Sequence, residues 1–95
     1  MQAHLNESQA ERQLLSELER GSFEAFVSLY KMYGEDLLIF AYGMLKDRQA
    51  AMDIVDRFFI YLLEPGKFSN IEPPIYKHLI YRLRGFCELE NLISG

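Results

Sequence analysis

Basic and aromatic side chains alternate through the stretch from Lys67 to Arg84, and this combination is chemically suited to holding nucleic acid. The cations could neutralise phosphates, and the aromatic rings could stack on an unpaired base. The candidates are the polar and aromatic members of the stretch: Lys67, Asn70, Tyr76, Lys77, His78, Tyr81, Arg82 and Arg84. The same alternation is common on ordinary solvent-exposed helices, so the pattern alone leaves both interpretations open.

Two carboxylates form a second candidate group, within the stretch from Asp47 to Leu63. Asp53 and Asp56 are one helical turn apart, and Arg57 follows directly. Such spacing places all three on one face of a helix, where they would meet solvent or a partner. A plain solvated face also explains them, with Asp53 and Arg57 forming an i, i+4 ion pair worth roughly 0.2 to 0.5 kcal/mol.

Arrangements typical of covalent or metal chemistry are not apparent in the sequence. Cys87 is the only cysteine, which excludes an internal disulfide and a cysteine-rich metal site, and we expect it to fill core space. The two histidines are far apart, and no catalytic triad or glycine-rich phosphate loop stands out. We therefore expect no enzymatic activity, no metal and no cofactor.

Composition indicates one helical domain that spans residues 1–95, of which the first ten are expected to be flexible. Hydrophobic residues make up 49% and charged residues 25%, an ordinary globular profile. Charged residues interrupt every apolar run, so no membrane span is expected, and the N-terminus lacks the pattern of a signal peptide. A cytoplasmic protein is expected. The net charge of -4 argues against binding nucleic acid by bulk electrostatics.

Capping signals and apolar periodicity predict where the helices begin. A capping box formed by Ser8 and Glu11 predicts the first start, Ser22 the second and Asp47 the third. Gly21 is a plausible stop for the first helix, and Pro65 should end the central one. A last helix should begin at Pro73-Pro74.

Two glycines leave the number of helices open. Gly34 could end a helix or kink one, and Gly85 could break the last helix. The central helix should bury a wide apolar face, which comprises Ile54, Val55, Phe58, Phe59, Leu62 and Leu63. The prediction is an all-α bundle of four to five helices.

The central helix also carries a resemblance to a known family. Asp53-Ile54-Val55 followed by Asp56, Phe59 and Leu62, one helix after the run from Glu24 to Tyr30, resembles region 2 of the extracytoplasmic-function sigma factors of bacterial RNA polymerase. The resemblance covers about residues 14–92. It implies a sigma region 2-like helical fold and a role in transcription initiation.

The resemblance also implies partners. The central helix would dock on the clamp helices of the polymerase β′ subunit through Asp53, Asp56, Arg57 and Tyr61. The stretch from Phe68 to Arg84 would help to recognise and melt the minus-ten promoter element. Regulation by an anti-sigma factor is a further expectation from this family.

An alternative remains from a different class of protein. Glu88 and Glu90 stand where the family is usually basic, and each lost phosphate contact weakens binding to DNA. The alternative is a sigma-like interaction module, which binds polymerase, an anti-sigma factor or its own copy without reading DNA.

Overall fold

The computed structural model describes the backbone of residues 2–94 and the side chains of residues 9–93. This part of the chain is all-helical and forms a small bundle of four helices: α1 Gln2–Glu19, α2 Phe23–Leu45, α3 Arg48–Leu62 and α4 Ile75–Ser94. Helix α2 packs against each of the other three, and α3 also packs against α4. The predicted all-α bundle is therefore confirmed. The expected flexibility of residues 1–10 concerns side chains that mostly lie outside the described residues.

Two of the predicted N-caps are confirmed by their hydrogen bonds. The Ser22 hydroxyl accepts a hydrogen bond from the Ala25 amide at 3.1 Å, and the Asp47 carboxylate accepts one from the Ala50 amide at 2.9 Å. Gly21 ends the first helical segment with a φ of 83°, and its amide donates to the Leu18 carbonyl at 3.0 Å. Local chemistry at these three positions therefore sets the boundaries of α1, α2 and α3.

The capping box predicted at Ser8 does not begin a helix, because α1 already starts at Gln2. Glu11 has a different role. Its carboxylate accepts a hydrogen bond from the Ile75 amide at 3.1 Å, so α1 caps the N-terminus of α4. Arg12 and Glu72 form an ion pair at 3.2 Å just beside this contact. The start of α4 is thus held by a side chain from the other end of the chain.

Both glycines whose effect the sequence left open lie inside continuous helices. Gly34 is within α2, where the nearest atoms to an added Cβ would be those of the Tyr30 ring at 3.8 Å. Gly85 is within α4, and an added Cβ there would meet nothing within 4 Å. The helix count is consequently four over the described residues.

The core is one cluster that draws on all four helices. Leu15 and Leu18 come from α1. Its other buried members are Ala25, Leu29, Leu37, Ala41, Ala51, Ile54, Val55, Phe58, Phe59, Leu62, Phe68, Ile75, Leu79, Leu83 and Cys87. Cys87 is fully buried, as the sequence predicted.

Leu63 departs from the predicted core of the central helix. Its side chain is 54% exposed, because α3 ends at Leu62 and Leu63 is the C-terminal cap that leads into the following turn. The other five members of the predicted face, from Ile54 to Leu62, are buried. The wide apolar face of α3 is therefore one residue shorter than expected.

Candidate functional site

The outward face of α3 presents carboxylates together with an exposed apolar side chain. Asp53, Asp56 and Ile60 have the i, i+3, i+7 spacing of one helix face, opposite the buried Phe58 and Phe59. Ile60 is 64% exposed. An exposed apolar side chain beside acids is more typical of a protein interface than of a plain solvated face.

The acids on this face keep most of their binding capacity. Asp53 accepts a hydrogen bond from the Gln49 side chain at 3.0 Å, and Asp56 makes neither a hydrogen bond nor an ion pair with any described residue. The i, i+4 ion pair anticipated between Asp53 and Arg57 is not formed. Both carboxylates are exposed and can meet cations of a partner.

Arg57 turns away from the two acids and joins α3 to α4. Its guanidinium forms an ion pair with Glu90 at 3.3 Å. The partner is 33 residues away in the chain, so a helical spacing rule could not have found it. Arg57 thus serves the contact between two helices in this structure.

Tyr61 likewise lies on the side of α3 that faces α4. Its ring is half-buried and packs against the Phe86 ring, with a centroid distance of 5.2 Å. The Lys67 ammonium lies 4.5 Å from the centre of the Tyr61 ring. Of the four residues predicted to bind polymerase, Asp53 and Asp56 share one surface, whereas Arg57 and Tyr61 belong to the junction with α4.

Most of the predicted nucleic-acid cations have partners within the protein. Lys67 pairs with Glu64 at 3.4 Å, and Arg84 pairs with Glu88 at 3.5 Å. Arg82 donates a hydrogen bond to the Lys67 carbonyl. The two ion pairs reduce the positive charge that phosphates would meet, and the Arg82 hydrogen bond occupies one of its donors.

The outer side of α4 nevertheless brings a cation and an aromatic ring together. Lys77 and Tyr81 are one turn apart on the same face, Tyr81 is 79% exposed, and neither side chain has a hydrogen bond or ion pair with a described residue. His78 is half-buried on the neighbouring side of the helix. This small group is the part of the predicted nucleic-acid set that remains open to a ligand.

The other two predicted residues lie nearer the start of α4. Tyr76 stacks on Tyr33 of α2, with ring centroids 6.0 Å apart. Asn70 is exposed in the preceding turn, where it has a left-handed φ of 63°. Neither joins the face of Lys77 and Tyr81 directly.

A groove beside the acids of α3 was missed by the sequence analysis. It lies between α2 and α3, has a volume of about 360 Å³ and is lined by Tyr30, Leu38, Met52, Val55 and Asp56 among others. The exposure of Ile60 and Met52 was not predicted, because apolar side chains are expected on the buried face of a helix. Their spacing from Asp53 and Asp56 was the signal that could have found them.

Burial changes the ionisation of two side chains. Burial raises the pKa of the Tyr33 phenol, and the neighbouring Glu11 carboxylate raises it further. Burial also raises the pKa of the Cys87 thiol, with smaller contributions in the same direction from Glu88 and Glu90. The Cys87 thiol is therefore held in its unreactive, neutral form.

The described residues show no group that could hold a metal ion, counted as three or more neighbouring His, Cys, Asp or Glu side chains. None of the four helices, as far as the structure describes them, is both long and apolar enough to cross a membrane. Comparisons of the chain with protein-family models, with curated proteins and with solved structures found no match.

Proposed function

We propose that this chain is a domain of the sigma-factor region 2 type, which binds core RNA polymerase through the outward face of α3. Three observations support the proposal. They are the sequence motif from Asp53 to Leu62, the all-helical bundle that positions it, and the exposed acids of that face. The polymerase clamp helices are the partner that the family resemblance implies.

The observation that carries the proposal is the exposed group formed by Asp53, Asp56 and Ile60. Asp56 forms no ion pair with a residue that the structure describes, so a partner's cation need not displace one of these. Ile60 supplies exposed apolar area one turn beyond Asp56, and buried apolar contacts are where interfaces gain most of their affinity. The core side chains behind this face hold α3 rigidly, which limits the entropy lost on binding.

The first prediction concerns the two acids of this face. Asp53→Ala with Asp56→Ala should weaken binding of the domain to purified core polymerase by at least about tenfold, or roughly 1.4 kcal/mol. Helicity should not change, since both side chains are exposed and neither caps a helix. The measurement is a fluorescence-anisotropy titration of labelled domain with core polymerase, with circular dichroism of each variant.

A matched control removes the same charge elsewhere. Glu19→Ala with Glu24→Ala changes two exposed acids of α1 and α2, outside the group of Asp53, Asp56 and Ile60, and should leave the affinity within about twofold. Undiminished binding by the Asp53 and Asp56 variant would refute the assignment of this face. Equal loss in both double variants would show that net charge alone is responsible.

A second candidate function is recognition of single-stranded minus-ten promoter DNA by α4. The observation that favours it is the exposure of Tyr81 next to Lys77, a stacking platform beside a cation. The internal pairing of Lys67, Arg82 and Arg84 indicates few phosphate contacts and hence weak binding by the isolated domain. Polymerase that holds the DNA nearby would compensate through effective concentration.

The second prediction tests this candidate. Tyr81→Ala should weaken binding of a single-stranded minus-ten oligonucleotide to the polymerase complex by roughly 1 to 3 kcal/mol, the range for one stacked base. Lys77→Ala with Arg84→Ala should lower promoter opening and the salt dependence of binding. A polymerase complex that forms and opens the promoter equally well with these variants would refute DNA recognition by α4. The function would then be that of the interaction module that does not read DNA.

A further inference from the structure

The outer side of α4 carries an apolar stripe that no described residue covers. Tyr81, Gly85, Leu89 and Leu92 follow at i, i+4, i+8 and i+11, opposite the core residues of the same helix. Leu89 is 58% exposed and Leu92 is 80% exposed. Such a stripe is the pattern of a helix that packs on two sides.

Gly85 lies at the middle of this stripe, and the fold itself does not require a glycine there. An added Cβ would meet nothing within 4 Å, and the residue lies inside a continuous helix. An interior glycine costs a helix about 1 kcal/mol relative to alanine. What a glycine does provide is a place where a second helix can approach closely.

The charges of α4 change sign at the same residue. Lys77 and Arg84 precede Gly85, and Glu88 follows it. An identical helix that runs in the opposite direction would bring its acidic half beside the basic half of this one. A parallel arrangement would instead place like charges together.

We infer that two copies of this chain associate through an antiparallel crossing of their α4 helices, centred on Gly85. In that register, residues whose numbers add up to 170 lie opposite each other. Tyr81 then packs on the partner's Leu89, and His78 on the partner's Leu92. Arg84 lies within two residues of the partner's Glu88, so the internal Arg84 and Glu88 pairs of both copies join in one cluster.

The stripe is short, which sets the strength of the association. In this register the interface runs from His78 to Leu92, fourteen residues apart or about 21 Å along a helix. An interface of this length falls at the small end of specific protein contacts, and a dissociation constant on the order of 10 to 100 µM is expected. The pairing is independent of polymerase binding, which uses α3, but it covers Tyr81 and therefore excludes nucleic acid from that face.

The test uses sedimentation equilibrium of the full chain over concentrations from about 5 to about 500 µM. The parent should move from monomer to dimer across this range. Gly85→Lys should raise the dissociation constant at least about tenfold, because two ammonium groups would meet at the symmetry axis. The same change should raise the melting temperature of the monomer, since lysine is a better helix former than glycine.

The matched control is Gly43→Lys, at an exposed glycine of α2 where an added Cβ also meets nothing within 4 Å. It should raise the melting temperature in the same way and leave the dimer intact. A parent that stays monomeric at every concentration overturns the inference. So does a Gly85→Lys variant that dimerises like the parent, or a mass that grows beyond that of a dimer.

The register is tested by cross-linking. Gly85→Cys should form a disulfide-linked dimer on oxidation with diamide, because the two new thiols lie next to each other at the crossing. Gly43→Cys should not, and the native Cys87 is buried and cannot compete. Equal cross-linking of the two variants would refute the antiparallel crossing at Gly85.

Discussion

Glu11 lies inside α1, yet its carboxylate accepts a hydrogen bond from the first amide of α4. The sequence around it has the form of a local capping box, so a helix start at Ser8 was the natural prediction. The carboxylate serves the same chemical purpose for a different helix, 64 residues away. A side chain's chemistry was thus readable from sequence, whereas its partner was not.

We expect Glu11→Ala to lower the free energy of unfolding by about 0.5 to 2 kcal/mol, the usual cost of a lost N-cap. Glu11→Gln should lose less, because its amide oxygen can still accept the Ile75 hydrogen bond. Arg12→Ala serves as the control, since it removes only a neighbouring exposed ion pair, and should change stability by less than about 1 kcal/mol. Urea unfolding, monitored by circular dichroism, measures the free energy of unfolding of each variant. Equal stability of the parent and Glu11→Ala would contradict the capping role.

Helix α3 organises its neighbours through one aromatic cluster. The Phe59 ring meets the Tyr30 ring with a centroid distance of 4.9 Å and the Phe26 ring with one of 5.9 Å, both in edge-to-face geometry. Phe58 meets Phe86 of α4 at 5.2 Å. Adjacent residues of one helix therefore fix the positions of α2 and α4.

Phe59→Ala should lower the free energy of unfolding by about 3 to 5 kcal/mol, because it removes a buried ring and leaves a cavity. For a domain of this size that corresponds to a melting temperature lower by more than about 12 °C. Ile60→Ala is the control at the next position, where the side chain is exposed and the change should stay within about 0.5 kcal/mol. Thermal melts of the parent and both variants measure the losses, and a larger loss for Ile60→Ala than for Phe59→Ala would mean that the faces of α3 are exchanged.

The elements that sequence predicted well are those set by neighbouring residues. The Ser22 and Asp47 caps and the buried face from Ile54 to Leu62 depend on local hydrogen bonds and on the 3.6-residue period. Gly34 and Gly85 could not be resolved, because tertiary packing can hold a glycine inside a helix. The candidate site was predicted in part: Asp53 and Asp56 share a face, but the partner of Arg57 depends on how α3 meets α4.

At the scale of the whole molecule, the single core cluster makes Cys87 a reporter of global unfolding. Its side chain is fully buried, and burial raises the pKa of its thiol, so both access and thiolate formation require the core to open. A group with a raised folded-state pKa adds stability below its ordinary pKa of 9.0. That contribution is lost as the pH rises through the folded-state value.

We expect native Cys87 to react with a thiol reagent at pH 7.5 more than about a thousandfold slower than in denaturant, given the usual stability of small domains. The free energy of unfolding calculated from the ratio of the denatured to the native reaction rate should equal the value from urea unfolding. The rate should increase in Phe59→Ala in proportion to its loss of stability, which provides an internal check. A native rate close to the denatured one would show that the C-terminal part of α4 opens separately.

The contact of Glu11 with Ile75 also affects the order of events during synthesis. Helix α1 leaves the ribosome before the other three helices, but the side chains of Glu11 and Arg12 bond to residues translated 64 and 60 positions later. A nascent chain can therefore form the α2 and α3 pair before α1 has its final partners. A ribosome stalled before Ile75 would carry α1 able to pack on α2 but without the two side-chain contacts that join it to the start of α4.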